Sequence, residues 1–343
     1  MLQSLKFNIV ITVTSILITS IFENSVFTQQ TGGIRILVTM DILKLLVSPI
    51  VGDRGEVVSI VPEGVEPHSF NLNPNIIRAA LNSDLIVITG HMEWEKNLVE
   101  RVAEEKGVPP SSISINLLDL AKSNGTLLKL DGGENIHGFW LLPDNAVLIA
   151  ESLKNTLSEI RPEYSEEFSS NYASFRSKIS SLKSFFKGLS EKYGSTDKRV
   201  VIGFYAEQYV VEALGIKVGA VLVGEEEIIK PDSLSRIYEG LRSGEYACIV
   251  VSDTALLMSN VKDALQQISA DTGCSIAYIS VVSTGGLKNY DSAMYYNAGQ
   301  VYSALLSSHK PVSTGLDIYL LTTLAALLII VIETLIIVRR VKK

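Results

Sequence analysis

The sequence predicts an α/β protein of two lobes, each a mostly parallel sheet with helices on both faces. One long linking helix joins the lobes, and a C-terminal transmembrane helix follows. Three observations predict this. Short apolar runs alternate with helical patterns over residues 34–162 and again over 198–308, the pattern of parallel strands covered on both faces. Between them, residues 163–193 keep a helical period without proline. Near the end, residues 318–338 form an apolar stretch with a single charge, Glu333.

The elements follow in order. Residues 1–28 hold Lys6 and then an apolar run, which reads as a secretory signal or an uncleaved N-terminal anchor. In the first lobe "IRILVTM", "EVVSIVP" and "DLIVITG" are strand-like, with "DILKLLVSPIVG", "PNIIRAALNS" and "EKNLVERVAEEKG" helical between and after them. The linking stretch repeats Phe168, Tyr172, Phe175, Ile179, Leu182 and Phe186 at three- and four-residue steps, one face of a helix. The second lobe restarts with "RVVIGFY" and closes on "NYDSAMYYNAGQVYSALLSS". Residues 309–317 read as a tether, and His309 within them as a solvated residue. About 20 helical residues cross a hydrocarbon core of ~30 Å, so 318–338 are long enough to span. The basic tail 339–343, "RRVKK", stays cytoplasmic by the positive-inside rule, which leaves the bulk of the chain outside.

Composition narrows the function. A formal net charge of −7 over 343 residues argues against a nucleic-acid partner. The sequence holds no G-x-S-x-G, H-E-x-x-H, P-loop or G-x-G-x-x-G, so the common hydrolase and nucleotide motifs find no footing and a non-enzyme is expected. Its two cysteines, Cys248 and Cys274, precede apolar runs that read as neighbouring strands. In an oxidising exterior they form a disulfide, or they stay as two buried free thiols. Asn124-Gly-Thr126 is a sequon in a polar loop and a possible glycosylation site.

The histidines carry the chemistry. His68 ends the stiff loop "VPEGVEPH", where Pro62, Gly64 and Pro67 fix and bend the backbone. There it is a nitrogen ligand or base held in a set direction, or an ordinary loop residue. His91 directly follows the strand "DLIVITG", and His137 lies in "ENIHGFWLLPDNA", just before a helix that begins near Pro143. Three histidines at strand-to-helix junctions of one lobe suit zinc or another first-row divalent ion.

The stretch from Val38 through "GDRGEVVSIVPEGVEPHSF" to Gly90, with Thr39, Gly52-Asp53-Arg54 and the Pro62–His68 loop, resembles the zinc/manganese solute-binding proteins of ABC transporters. "NIHGFWLLPDNA" is similar to that family's second-histidine loop, and "NYDSAMYYNAGQVYSAL" to its closing helix, so the resemblance covers about Arg35 to Leu306. It implies a two-lobed receptor with metal between the lobes, Zn2+ first and Mn2+ second. It also implies an ABC permease with a cytoplasmic ATPase as partner, and a membrane-anchored monomer. His68 matches the first family ligand and His137 the second. The third falls at Phe204 and the fourth near Ser283, neither of them a metal ligand of the family's kind. Glu207, one helical turn after Phe204, is the candidate replacement, with a solvated helix residue as its alternative. His91 is a further candidate ligand, or else a cleft-edge hydrogen-bonding group. Asp253 reads as a helix cap, and "GEEEI" (Gly224 to Ile228) as a solvated turn or a metal-capturing one. Two other functions fit the same fold: a receptor for a metal chelate or other solute, and a surface adhesin.

Overall fold

β-Branched runs of four or five residues make the strands, and amphipathic stretches between them make the helices. The computed structural model describes residues 33–307, 322–323 and 325–330. A compact unit that begins at Arg35 holds both large sheets apart from Ile34. The first lobe runs β1 (Ile34–Val38), α1 (Lys44–Val51), β2 (Gly55–Ser59), α2 (Pro74–Leu81), β3 (Leu85–Ile88), α3 (Glu93–Lys106), β4 (Ser114–Asn116) and α4 (Leu117–Asn124). A two-residue hairpin, β5 (Lys129–Leu130) with β6 (Gly133–Glu134), and α5 (Pro143–Ile160) complete it. After α6 (Ser165–Tyr193) come β7 (Arg199–Ile202), α7 (Glu207–Ala213), β8 (Lys217–Val221), α8 (Pro231–Ser243), β9 (Ile249–Ser252), α9 (Val261–Thr272), β10 (Ile276–Ile279) and α10 (Tyr290–Leu306).

Strand order places the site. The first sheet reads β2-β1-β3-β4 and the second β10-β9-β7-β8. In the first, β3 runs parallel to β1 and β4, with Ile36 level with Leu85 and Val87 with Ile115. The second is parallel throughout. Each order reverses direction once, between β1 and β3 and between β7 and β9. Ligands of open α/β sheets bind beyond the strand carboxyl ends at such switch points. His91 follows β3, Phe204 follows β7 and Asp253 follows β9, so chemistry-bearing residues of both lobes occupy these two positions.

The 29 residues of α6 extend ~43 Å. They bury Phe168, Phe175, Ile179, Leu182 and Phe186 on one face, each side chain contributing about 1.5–3 kcal/mol. That face packs on α1 and α5 of the first lobe and on α10 of the second, so one helix braces both. Asn171 Nδ2 donates to the Ile50 carbonyl at 3.0 Å, and the Arg54 guanidinium meets Glu167 at 2.6 Å. Across the lobes, Ile42 N–H donates to the Val282 carbonyl at 2.9 Å and the Tyr290 hydroxyl to the Leu141 carbonyl at 2.6 Å.

The structure decides between the two alternatives for the cysteines. Cys248 and Cys274 are both buried and free, so no disulfide links them. β9 and β10 are indeed neighbours, but Ile249 pairs with Ile276, which sets Cys248 level with Ser275 rather than with Cys274. Burial pushes the Cys248 thiol up to about 12, leaving it an inert hydrophobe. Among the described residues no helix is long and apolar enough to cross a membrane. Most of 318–338, with His309 and the tail, lies outside those residues, although 325–330 are helical. Asn124 is the exposed last residue of α4, where the sequence suggested a loop.

Candidate metal centre

Each histidine is aimed by its own local structure. The Pro62–His68 loop turns through Gly64 and is pinned by Trp94 Nε1, which donates to the Pro67 carbonyl at 2.8 Å. Phe70 packs on the Trp94 ring at 5.1 Å. His68 then sits at the loop end with its side chain 30% exposed. At the end of β3 the chain reverses through Gly90, with φ of 89°. A Cβ there would stand 1.8 Å from Asn116 Oδ1, so only glycine lets His91 turn into the cleft. Trp140 lies nearly parallel to the His91 ring, 20° apart at 6.2 Å. His137 donates its backbone N–H to Asn135 Oδ1 at 2.9 Å and precedes Gly138, with φ of 82°. A Cβ on Gly138 would lie 2.6 Å from the Ala206 carbonyl oxygen, a close approach between the lobes.

The three imidazoles converge. Ring centroids are 5.4 Å apart for His68 and His91, 5.5 Å for His68 and His137, and 5.1 Å for His91 and His137. One nitrogen of each lies within 4.8 Å of the other two. A tetrahedral ion with bonds of ~2.0–2.1 Å places its ligand nitrogens about 3.4 Å apart. Small side-chain rotations, of about 1.4 Å at most, close the trio around one ion.

Hydrogen bonds fix two of the tautomers. Thr89 Oγ1 donates to Glu95 Oε2 at 2.7 Å, so at 2.9 Å from His91 Nδ1 it must accept the Nδ1 proton. That leaves Nε2 of His91 with its lone pair. Glu95, fully buried, also accepts from Thr39 Oγ1 at 2.5 Å and from the Thr89 and Gly90 N–H groups at 2.8 Å each. Glu66 Oε1 accepts from His68 Nδ1 at 2.7 Å, which frees Nε2 of His68 in the same way.

Electrostatics keep two rings neutral. Burial, and then the neighbouring histidines, hold His91 well below its ordinary value. Burial and the His68 charge lower His137 to about 4. Burial also pulls on His68, but the Glu66 hydrogen bond and charge outweigh it and raise the net value. Glu66 in turn drops to about 2, burial being outweighed by bonds from the His68 ring and from the His68 and Ser69 N–H groups.

The second lobe supplies a cover. Phe204, buried, stands 5.1 Å from the His137 ring and 6.5 Å from His68. Glu207 is not in the histidine cluster, which corrects the expectation that it replaces the missing ligand. Its carboxylate is fully buried and turned back to the strand ends, accepting from Phe204 N–H at 3.0 Å and Ser252 N–H at 2.7 Å. Burial without a cation pushes it up to about 7. Asp253 holds the 281–283 segment, accepting from Val281, Val282 and Ser283 N–H groups at 2.9, 3.2 and 2.8 Å. Ser283 itself is buried. His91 does join the cluster. Thr89 and Glu95, which support it, carried no legible signal, whereas Thr39 and Glu66 stand in stretches that the family resemblance covers.

The family described as "Zinc-uptake complex component A periplasmic" (ZnuA) matches residues 36–304. The chain is 25% identical over 313 residues to the manganese-binding lipoprotein MntA of Halalkalibacterium halodurans, covering 89% of this chain and 99% of the relative. It is 24% identical over 287 residues to the manganese ABC transporter substrate-binding lipoprotein PsaA of Streptococcus pneumoniae, covering 79% and 89%. Among solved structures, the SBP FpvC of Pseudomonas aeruginosa in complex with Mn2+ superposes with a TM-score of 0.65 at 22% identity, over 80% of this chain and 98% of that one. A family match across both lobes, on a chain folded like FpvC, establishes that the protein belongs to the zinc-uptake component A (ZnuA) family.

Proposed function

We propose that the protein is an extracytoplasmic receptor, held at the membrane, that binds a divalent transition-metal ion between its lobes. It passes the ion to an ABC permease driven by a cytoplasmic ATPase. The observation that carries this reading is the convergence of His68, His91 and His137, with a donor nitrogen from each within 4.8 Å of the others. Family membership and relatives named for manganese and iron support the class of cargo and the transporter partner. Zn2+ is favoured over Mn2+, because three imidazoles suit zinc whereas manganese prefers carboxylate and water oxygens. Phe204 brings no donor atom, so water completes a four-coordinate ion. The role needs no covalent chemistry, hence no catalytic residue.

A bare ion fits this centre better than a chelate. The Phe204 ring, 5.1 Å from His137, fills the volume that a chelating group would occupy. In this reading residues 34–162 and 198–308 are the lobes of a monomeric receptor and 163–193 its strut. Residues 1–28 direct export, and 318–338 anchor the chain, with 339–343 on the cytoplasmic side. The apolar run Leu327 to Ile330, each residue more than half exposed, supports a lipid-facing helix there. Equilibrium dialysis with metal analysis tests the proposal on wild type and on a His68→Ala, His137→Ala double variant. Zinc retained by wild type and lost by the variant is expected; equal retention overturns it.

A further inference from the structure

Beside the imidazole trio lies a second cluster that uses His68 again. One oxygen of Glu66, one oxygen of Glu227 and one His68 nitrogen are all within 4.8 Å of one another. The two carboxylates come from different lobes. Glu66 is on the stiff His68 loop, while Glu227 closes a turn after β8, its N–H donating to the Gly224 carbonyl at 2.9 Å. Among the described residues no lysine or arginine pairs with either. Lys230, the nearby cation in sequence, is held by Glu226 at 2.9 Å. Two like charges therefore face one imidazole at the mouth of the cleft. Among the described residues Glu66 is held by the His68 ring and by the His68 and Ser69 N–H groups, all on its own loop.

We propose that Glu66, His68 and Glu227 form an outer cation site, built by both lobes. It takes a divalent cation still carrying part of its water shell and passes it inward. The proposal rests on the receptor reading for its purpose, though not for its existence. Donor chemistry separates the two sites. The outer set is two carboxylate oxygens and one nitrogen, with His68 and Glu227 exposed to solvent, which suits a partly hydrated Mn2+ or Zn2+. The inner set is three nitrogens beneath Phe204, which suits an ion stripped of most of its water. Because His68 belongs to both, an ion moving inward exchanges oxygens for the nitrogens of His91 and His137 in steps and is never without a protein ligand. The pair of carboxylates also raises the local concentration of cations at the cleft mouth.

The experiment uses the full-length chain and metal ions alone. In a His91→Ala, His137→Ala variant, which lacks the inner centre, water-proton relaxation should still report weak, saturable Mn2+ binding. Adding Glu227→Gln should abolish that signal. Mn2+ binding that is unchanged by Glu227→Gln, or missing from the double variant, overturns the proposal. In otherwise wild-type protein, Glu227→Gln should slow Zn2+ association, followed by stopped flow, about three- to tenfold. Association at the wild-type rate also overturns it. If wild type retains no zinc, the receptor reading fails, and the relaxation measurement still decides the outer site.

Discussion

Replacing His91 with alanine separates the geometry from the family pattern, which places no ligand at that position. Its imidazole is one of three nitrogen donors, with Nδ1 committed to Thr89 and Nε2 free. Structural zinc sites of four ligands are worth ~10–16 kcal/mol in all, or about 2.5–4 kcal/mol per ligand. Losing one donor of that size weakens binding by about two to three powers of ten. Folding should survive, because Thr89 Oγ1 keeps its bond to Glu95 when His91 is gone and no buried polar atom is orphaned. The control is Glu207→Gln. Glu207 accepts two backbone N–H bonds away from the trio, so its replacement leaves zinc affinity within a few-fold of wild type. Competition titration against a zinc-binding dye at pH 7.5 measures both. The reasoning is refuted if His91→Ala binds zinc within threefold of wild type, or if Glu207→Gln loses as much affinity as His91→Ala.

Three further outcomes follow from the same contacts. Thr89→Val removes the acceptor that fixes the His91 tautomer, and should weaken zinc binding about 10- to 100-fold in the same titration. Glu66→Gln removes the carboxylate that raises His68. Since zinc needs a neutral ring, wild-type affinity should fall as pH drops through the raised His68 value, and in the variant this fall should move to lower pH; an unmoved profile contradicts it. Denaturant unfolding of the metal-free protein should show opposed slopes with pH. His137, about 4 when folded against ~6.5 unfolded, binds its proton more tightly in the unfolded chain and so adds ~3 kcal/mol as pH rises from 4 to 6.5. Glu207, about 7 when folded against 4.5, binds its proton more tightly in the folded chain and removes a similar ~3 kcal/mol between pH 4.5 and 7. The rise with pH should therefore be steeper in Glu207→Gln than in wild type.

What was legible in the sequence follows period and chain-local geometry. The apolar face of α6 repeats every three or four residues, and Phe168, Phe175, Ile179, Leu182 and Phe186 are all buried on it. His68 could be read because two prolines and a glycine within one loop restrict where its side chain goes. Glu207 was misread because helical spacing gives the face of a residue but not which of two hydrogen-bonding options its carboxylate takes. Open N–H groups at the ends of β7 and β9 outcompeted the cleft. The role of Glu95 was not legible at all. Its partners Thr39 and Thr89 are 56 and 6 residues away, and only the parallel pairing of β1 with β3 brings them together.

With all three nitrogens on the first lobe, the second lobe acts on the centre by position rather than by ligation. Asn135, two residues before His137, donates to the Tyr205 carbonyl and to Gln208 Oε1, each at 2.8 Å. The Tyr209 hydroxyl donates to the Asn135 carbonyl at 2.5 Å and accepts from Leu128 N–H at 3.0 Å. Gly138 lies against Ala206 with no room for a Cβ. The loop that carries His137 is thus held by the start of α7, while His68 and His91 are held by Trp94, Thr89 and Glu95 within their own lobe. Displacement of the second lobe reaches the centre most directly through His137 and the Phe204 cover. A site divided between lobes would lose its ligands on opening. This one would keep two imidazoles on the ion, lose its cover and loosen the third, and an ion bound by two nitrogens and water exchanges far more readily than one held by three.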